Sequence, residues 1–135
     1  MRSYEDAVER LGNLDGAMIA QSAIGNPWVL TPHLPSTQER QQVISTHLNL
    51  AIAADLYFQE AVAQMQETLT MPTLDQLQSI AAEVQKNPQL AQGSHIPTEF
   101  RKYLFAYLNG LPKNKQLKLA IAQTKEYADL VSLLD

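Results

Sequence analysis

Thr31-Pro32-His33-Leu34-Pro35-Ser36-Thr37-Gln38-Glu39 separates two unlike halves of this chain. Pro32 and Pro35 interrupt any helix, because each lacks a backbone donor and its ring clashes with the preceding turn. Directly behind them, Ser36 and Glu39 have the spacing of a capping box, in which each side chain satisfies the other's backbone N–H. A helix is therefore expected to start here. Ile44, Leu48, Ala51, Ile52, Phe58, Val62, Met65 and Leu69 step by three and four and mark one buried face of a long helix, which Met71-Pro72 stops. Thr73 with Gln76 starts a second helix, through Leu77, Ile80, Ala81 and Val84 to Asn87-Pro88. Residues 89–97 read as a loop. Thr98 opens a third helix with Phe100, Leu104, Tyr107 and Leu108 on one side, ended by Asn109-Gly110-Leu111-Pro112. Asn114 caps a last helix carrying Leu117, Ile121, Leu130 and Leu133.

Before the linker the pattern changes. Ser3 is placed to cap a short helix over Tyr4–Leu11, with Glu5 and Asp6 in the first turn where the dipole favours acids. Gly12-Asn13 ends it. Asp15-Gly16-Ala17-Met18-Ile19-Ala20 is a short apolar run behind a turn signal, and it is the one good strand candidate. A single strand cannot satisfy its own backbone groups, so this run either pairs outside the chain or is helical. Ser22–Leu30 is expected to form a short helix or turn around Gly25-Asn26-Pro27-Trp28.

With 135 residues, 45% of them apolar and 18% charged, the chain has room for a folded core. It is too short for a complete (β/α)₈ barrel, which needs roughly 250 residues. No apolar stretch is long enough to span a bilayer, and no apolar leader follows Met1-Arg2-Ser3, so a cytoplasmic location is expected. With no cysteine, disulfides, thiolate zinc sites and a cysteine acid or nucleophile are excluded from this chain. His33, His47 and His95 lack metal-ligand spacing, so no metal site is expected. His47 falls beside the apolar helix face and reads as a core-edge residue. The net charge of −4 is unevenly spread: residues 98–125 hold six basic residues against one acid, whereas residues 1–97 hold four against ten. Arg101, Lys102, Lys113, Lys115, Lys118 and Lys125 thus form either a phosphate-facing surface or a solvated helix face. Tyr103, Phe105 and Tyr107 interleave with this charge. Neighbours on a helix turn about 100° apart, so some of these rings must face the core. Tyr107 goes there with Leu104 and Leu108, while Arg101, Lys102 and Phe105 are assigned to solvent or RNA.

The run from Asp15 to Trp28, Asp-Gly-Ala-Met-Ile-Ala-Gln-Ser-Ala-Ile-Gly-Asn-Pro-Trp, resembles the strand and turn that end the barrel of tRNA-dihydrouridine synthases, D-G-x-M-I-G-R-G-A-x-G-N-P-W. A second block, Phe100 to Pro112, resembles the family's R-K-H-x-x-W-Y-x-x-G-x-P segment, and Ser3-Tyr4-Glu5-Asp6-Ala7 looks like the start of the helix before the last strand. The resemblance covers residues 1–34 and roughly 98–133. It implies a mainly α chain: residues 1–35 as the C-terminal remnant of a flavin-binding barrel, one βα unit, and residues 36–135 as a helical tRNA-binding bundle. It also implies the family's reaction. Flavin mononucleotide (FMN), reduced by NAD(P)H, passes a hydride to uridine in tRNA while an acid protonates the neighbouring carbon.

On this resemblance Ala20 and Gln21 occupy the Gly-Arg pair that holds the FMN phosphate; the motif's R-K pair falls on Arg101 and Lys102, which with Lys113 and Lys115 of the same basic stretch are the expected tRNA contacts. Ala for Gly narrows the backbone, and Gln for Arg removes a charge beside an anion, so weakened or absent FMN binding is expected. The family's catalytic cysteine, and its flavin-contacting lysine and histidine, lie on earlier parts of the barrel and have no counterpart here. Tyr103 replaces the histidine of the R-K-H triplet, and the acidic stretch from Tyr57 to His95 reads as an inserted helix facing away from tRNA. The chain is then a truncated gene, a split subunit that works with a separate barrel, or a cut piece. The alternative is a non-catalytic helical module that binds RNA or another protein. A further rival is another phosphate-binding barrel family with a similar strand end.

Overall fold

The structure is a computed structural model; it describes residues 3–16, 18, 21–109 and 114–134, with the side chain of Gln21 left aside. The described residues are mainly helical and contain no strand. Helix α1 spans Tyr4–Leu11, α2 Thr37–Ala63, α3 Leu74–Lys86, α4 Ile96–Glu99, α5 Arg101–Tyr107, α6 Asn114–Gln123 and α7 Tyr127–Leu134. Short 3₁₀ turns lie at Gln21–Ala23, Pro27–Leu30 and Pro88–Ala91. Of the expected strand run, Ala17, Ile19 and Ala20 lie outside the described residues, while Met18 is exposed and in no regular element.

Helix starts follow local chemistry. Ser3 accepts from the Asp6 N–H at 3.1 Å and caps α1, and Gly12, at φ 53°, closes it. Ser36 and Glu39 form both bonds of the expected capping box, at 2.7 and 3.2 Å. Thr73 and Gln76 do the same for α3, at 2.8 and 3.3 Å.

Three expectations about helix extent are corrected. The long helix does not reach Leu69. It stops at Ala63, where Met65 enters the left-handed region at φ 52° and the Gln66 N–H closes onto the Ala61 carbonyl at 3.3 Å while that of Met65 bonds Val62 at 3.0 Å. This is a Schellman closure with methionine where glycine is usual. It turns the chain back, so that the Tyr57 hydroxyl meets Thr70 Oγ1 at 3.2 Å and α3 packs along α2. The expected loop at 89–97 overlaps the Pro88–Ala91 turn and contains the start of α4, with Pro97 tolerated in the first turn. The last helix is two. Thr124 bonds its hydroxyl back to the Ala120 carbonyl at 2.9 Å, and its own carbonyl accepts from Arg101 Nη2 of α5. That carbonyl is therefore engaged by another helix at the point where α6 gives way to α7. Asn114 stands at the start of α6 and donates to the Leu108 carbonyl at 3.2 Å, tying α6 to the end of α5.

Helix α2 is the central element and packs against α3, α4, α5 and α7. Ile44, Leu48 and Ile52 on α2 meet Val84, Phe100, Leu104, Tyr107, Leu108, Ile121 and Leu130 in one core. Burial of this kind stabilises by roughly 25 cal/mol per Å² of apolar area. Within it, Tyr127 donates its hydroxyl to Asn49 Oδ1 at 2.6 Å, which satisfies a buried amide.

Candidate nucleic-acid interface

The two blocks of sequence that carry the family resemblance meet in space. Gly25, at φ +69°, lies against α5 so closely that a Cβ built there would be 2.5 Å from Ala106 Cβ and 2.5 Å from the Tyr107 nitrogen. Only glycine both adopts this dihedral freely and permits this approach of backbone to backbone. Asn26 and Pro27 then turn the chain so that Val29 is buried and Trp28 packs on the core. Arg40, in the first turns of α2, sets its guanidinium 5.1 Å from the centre of the Trp28 ring. Trp28 therefore joins residues 22–30 to the helical bundle. A cleft of about 280 Å³ remains beside it, lined by Ser22, Ile24, Gly25, Asn26, Arg40, Ala106, Tyr107 and Asn109.

Behind this contact lies an aromatic cluster. His47 on α2 stands edge-on to Phe100 at 4.7 Å, is tilted to Tyr103 at 5.4 Å, and shares a 3.1 Å hydrogen bond with the Tyr107 hydroxyl. Burial pushes the His47 pKa down and that of Tyr107 up, since each charged form is poorly solvated there. Tyr103 and Phe105 are half-buried and pack against the core, and Tyr107 is buried. The assignment of Phe105 to solvent or RNA is thus corrected: helical rotation turns this ring partly inward.

The expected tRNA contacts separate into different environments. Arg101 is half-buried, with Nη2 donating to the Thr124 carbonyl and Nε buried without a partner. Its assignment to open solvent is therefore corrected to a bridge between α5 and the end of α6. Lys102 is exposed and lies 5.0 Å from the centre of the Tyr103 ring. Lys115 is exposed on α6, and Lys118 donates to Asn109 Oδ1 at 2.7 Å. Lys113 lies outside the described residues. Arg40 was not singled out in the sequence, because a lone arginine carries no signal until the fold sets it beside Trp28 and Asn26 of the Gly-Asn-Pro-Trp block.

For FMN, Ala20 lies outside the described residues, and Gln21 begins a 3₁₀ turn of three residues. A turn this short provides no helix terminus of the kind that holds a flavin phosphate. The described residues do not by themselves fit that cofactor. Among them no three histidine, cysteine or carboxylate side chains group to hold a metal ion, and no helix is long and apolar enough to cross a membrane. Comparison with protein-family models, curated proteins and solved structures finds no match.

Proposed function

We propose that this chain is the C-terminal part of an FMN-dependent tRNA-dihydrouridine synthase, in which it joins the barrel end to the tRNA-binding helices. The observation that carries this reading is the docking of Gly25 on Ala106 and Tyr107. It unites two segments, far apart in sequence, that each resemble that family. Exposed Leu14, Met18, Ile24, Leu30 and Leu34 add support, since a barrel continued by this segment would cover such side chains. Lys102 and Lys115 are the proposed contacts to tRNA phosphates, with Lys113 assigned with them on the same basic stretch; Arg101, at the motif's arginine, instead holds α5 against the end of α6. The hydride and proton transfers belong to the complete enzyme, whose flavin and cysteine acid this chain does not supply.

A helical RNA-binding module without flavin chemistry is the second reading, favoured by the short turn at Gln21. Adding the chain to a family barrel that lacks its own C-terminal part separates the two. Restored reduction of uridine in tRNA is expected on the first reading. Binding of tRNA without restored turnover selects the second, and no binding of tRNA at low salt overturns both.

A further inference from the structure

We propose that the cleft between residues 22–26 and the end of α5 is a phosphate seat, in which Arg40 and Asn26 grip one phosphate group of an RNA backbone. Arg40 is the centre of the argument. It lines the cleft, yet among the described residues its guanidinium has no carboxylate within ion-pair distance and no hydrogen-bond acceptor. Its neighbour Glu39 does not neutralise it, because that carboxylate is held by the Ser36 N–H at 2.7 Å and by His33 at 3.0 Å. Arg40 also occupies the fourth position of α2, near the positive end of the helix dipole, where a cation is disfavoured and an anion is attracted. Held over Trp28 but without a hydrogen-bond acceptor, the guanidinium keeps its donors for an anion in the cleft.

The rest of the cleft suits the same ligand. The guanidinium lies 5.1 Å from the centre of the Trp28 ring, and a guanidinium can take phosphate oxygens in a planar, two-point grip. The Asn26 side chain also lines the cleft, caps nothing and has no partner among the described residues, so its amide donors are available there. Asn109 lines the cleft too, and its Oδ1 accepts from Lys118 at 2.7 Å, which brings a second cation near it. The seat is open, so the phosphate belongs to a free anion or to a polynucleotide. The choice of RNA rests on the functional reading above, whereas the phosphate chemistry does not.

The single tryptophan of the chain makes the test direct, since Trp28 is in contact with Arg40. Trp28 fluorescence is followed while the full chain is titrated with inorganic phosphate and, separately, with bulk tRNA, at constant ionic strength set with chloride. A saturable change with both probes is expected, tighter for tRNA. Arg40→Gln should weaken each by roughly tenfold, as loss of a charged hydrogen bond does. Arg40→Lys should recover part of it, and thermal melting by circular dichroism should confirm that both variants remain folded. A response to phosphate but not to tRNA overturns the RNA source. Binding of tRNA, by filter retention, with no Trp28 response and no effect of Arg40→Gln overturns the seat while leaving tRNA binding intact. No response and no retention overturns both. A melted Arg40→Gln variant is replaced by Asn26→Ala, which must weaken phosphate binding for the seat to stand.

Discussion

His47 holds the α2–α5 contact together in its neutral form. It touches Phe100 and Tyr103 and bonds Tyr107, and burial lowers its pKa from the usual 6.5. The unfolded chain therefore binds a proton at a higher pH than the folded one. Stability should be complete above the unfolded pKa and should fall as pH drops through and below it. Thermal melting at pH 7.5 and pH 5.5 should show this loss, and His47→Gln should reduce the difference between the two; an equal difference in both proteins would remove His47 as its source. Gly25 is the other decisive residue. Gly25→Ala meets the backbone of α5 at a positive φ, and such a conformation alone costs about 1–3 kcal/mol for a non-glycine residue. We expect the 21–30 segment to detach, with a red shift of Trp28 emission, while the helical content of residues 36–134 is retained. Unchanged emission would mean that α5 yields to the added methyl group.

The helices themselves separate a structural cation from exposed ones. Arg101 serves the bundle, for it gives Thr124 a hydrogen bond across two helices. Arg101→Ala should lower stability by about 1–3 kcal/mol, because a carbonyl and a charged donor lose each other. Lys102 and Lys115 are exposed, and neutralising them should leave melting unchanged within about 0.5 kcal/mol. If Lys102 and Lys115 bind tRNA, the pair of substitutions should instead reduce the slope of log K against log salt by about 0.7–0.9 per lysine. Filter binding over a salt series measures that slope; an unchanged slope would assign both residues to a merely solvated face. The same comparison at the Asn49–Tyr127 bond tests the core. Tyr127→Phe should cost about 1–3 kcal/mol by leaving a buried amide oxygen unpaired.

For the molecule as a whole, the question is what this chain does alone. The chain alone should retain no FMN through gel filtration and should not reduce uridine, since it has no cysteine acid and Gln21 begins only a three-residue 3₁₀ turn. Stoichiometric flavin absorbance after purification would place the cofactor site within these residues after all. Its charge is also divided at this scale. The acidic balance of residues 1–97 opposes RNA, whereas the basic stretch from Arg101 to Lys125 attracts it, so binding of tRNA should be modest and steeply dependent on salt.

The sequence by itself determined the features that depend on neighbours three or four residues apart. Ser3, Ser36 and Thr73 announce three helix starts because each side chain bonds the backbone of its own first turn. The spacing of Ile44, Leu48 and Ile52 marks the buried face of α2 for the same reason of period. Helix ends were less legible. Methionine at position 65 gives no sign of the left-handed turn that closes α2, since glycine is the residue that normally announces it. Only the tertiary structure decided where α6 yields to α7, because the Thr124 carbonyl accepts its hydrogen bond from Arg101 on another helix. Only it placed Gly25 on α5 and Arg40 over Trp28. These contacts join residues with no fixed spacing, so no periodic pattern encodes them; they exist once burial of the common core has brought the helices together.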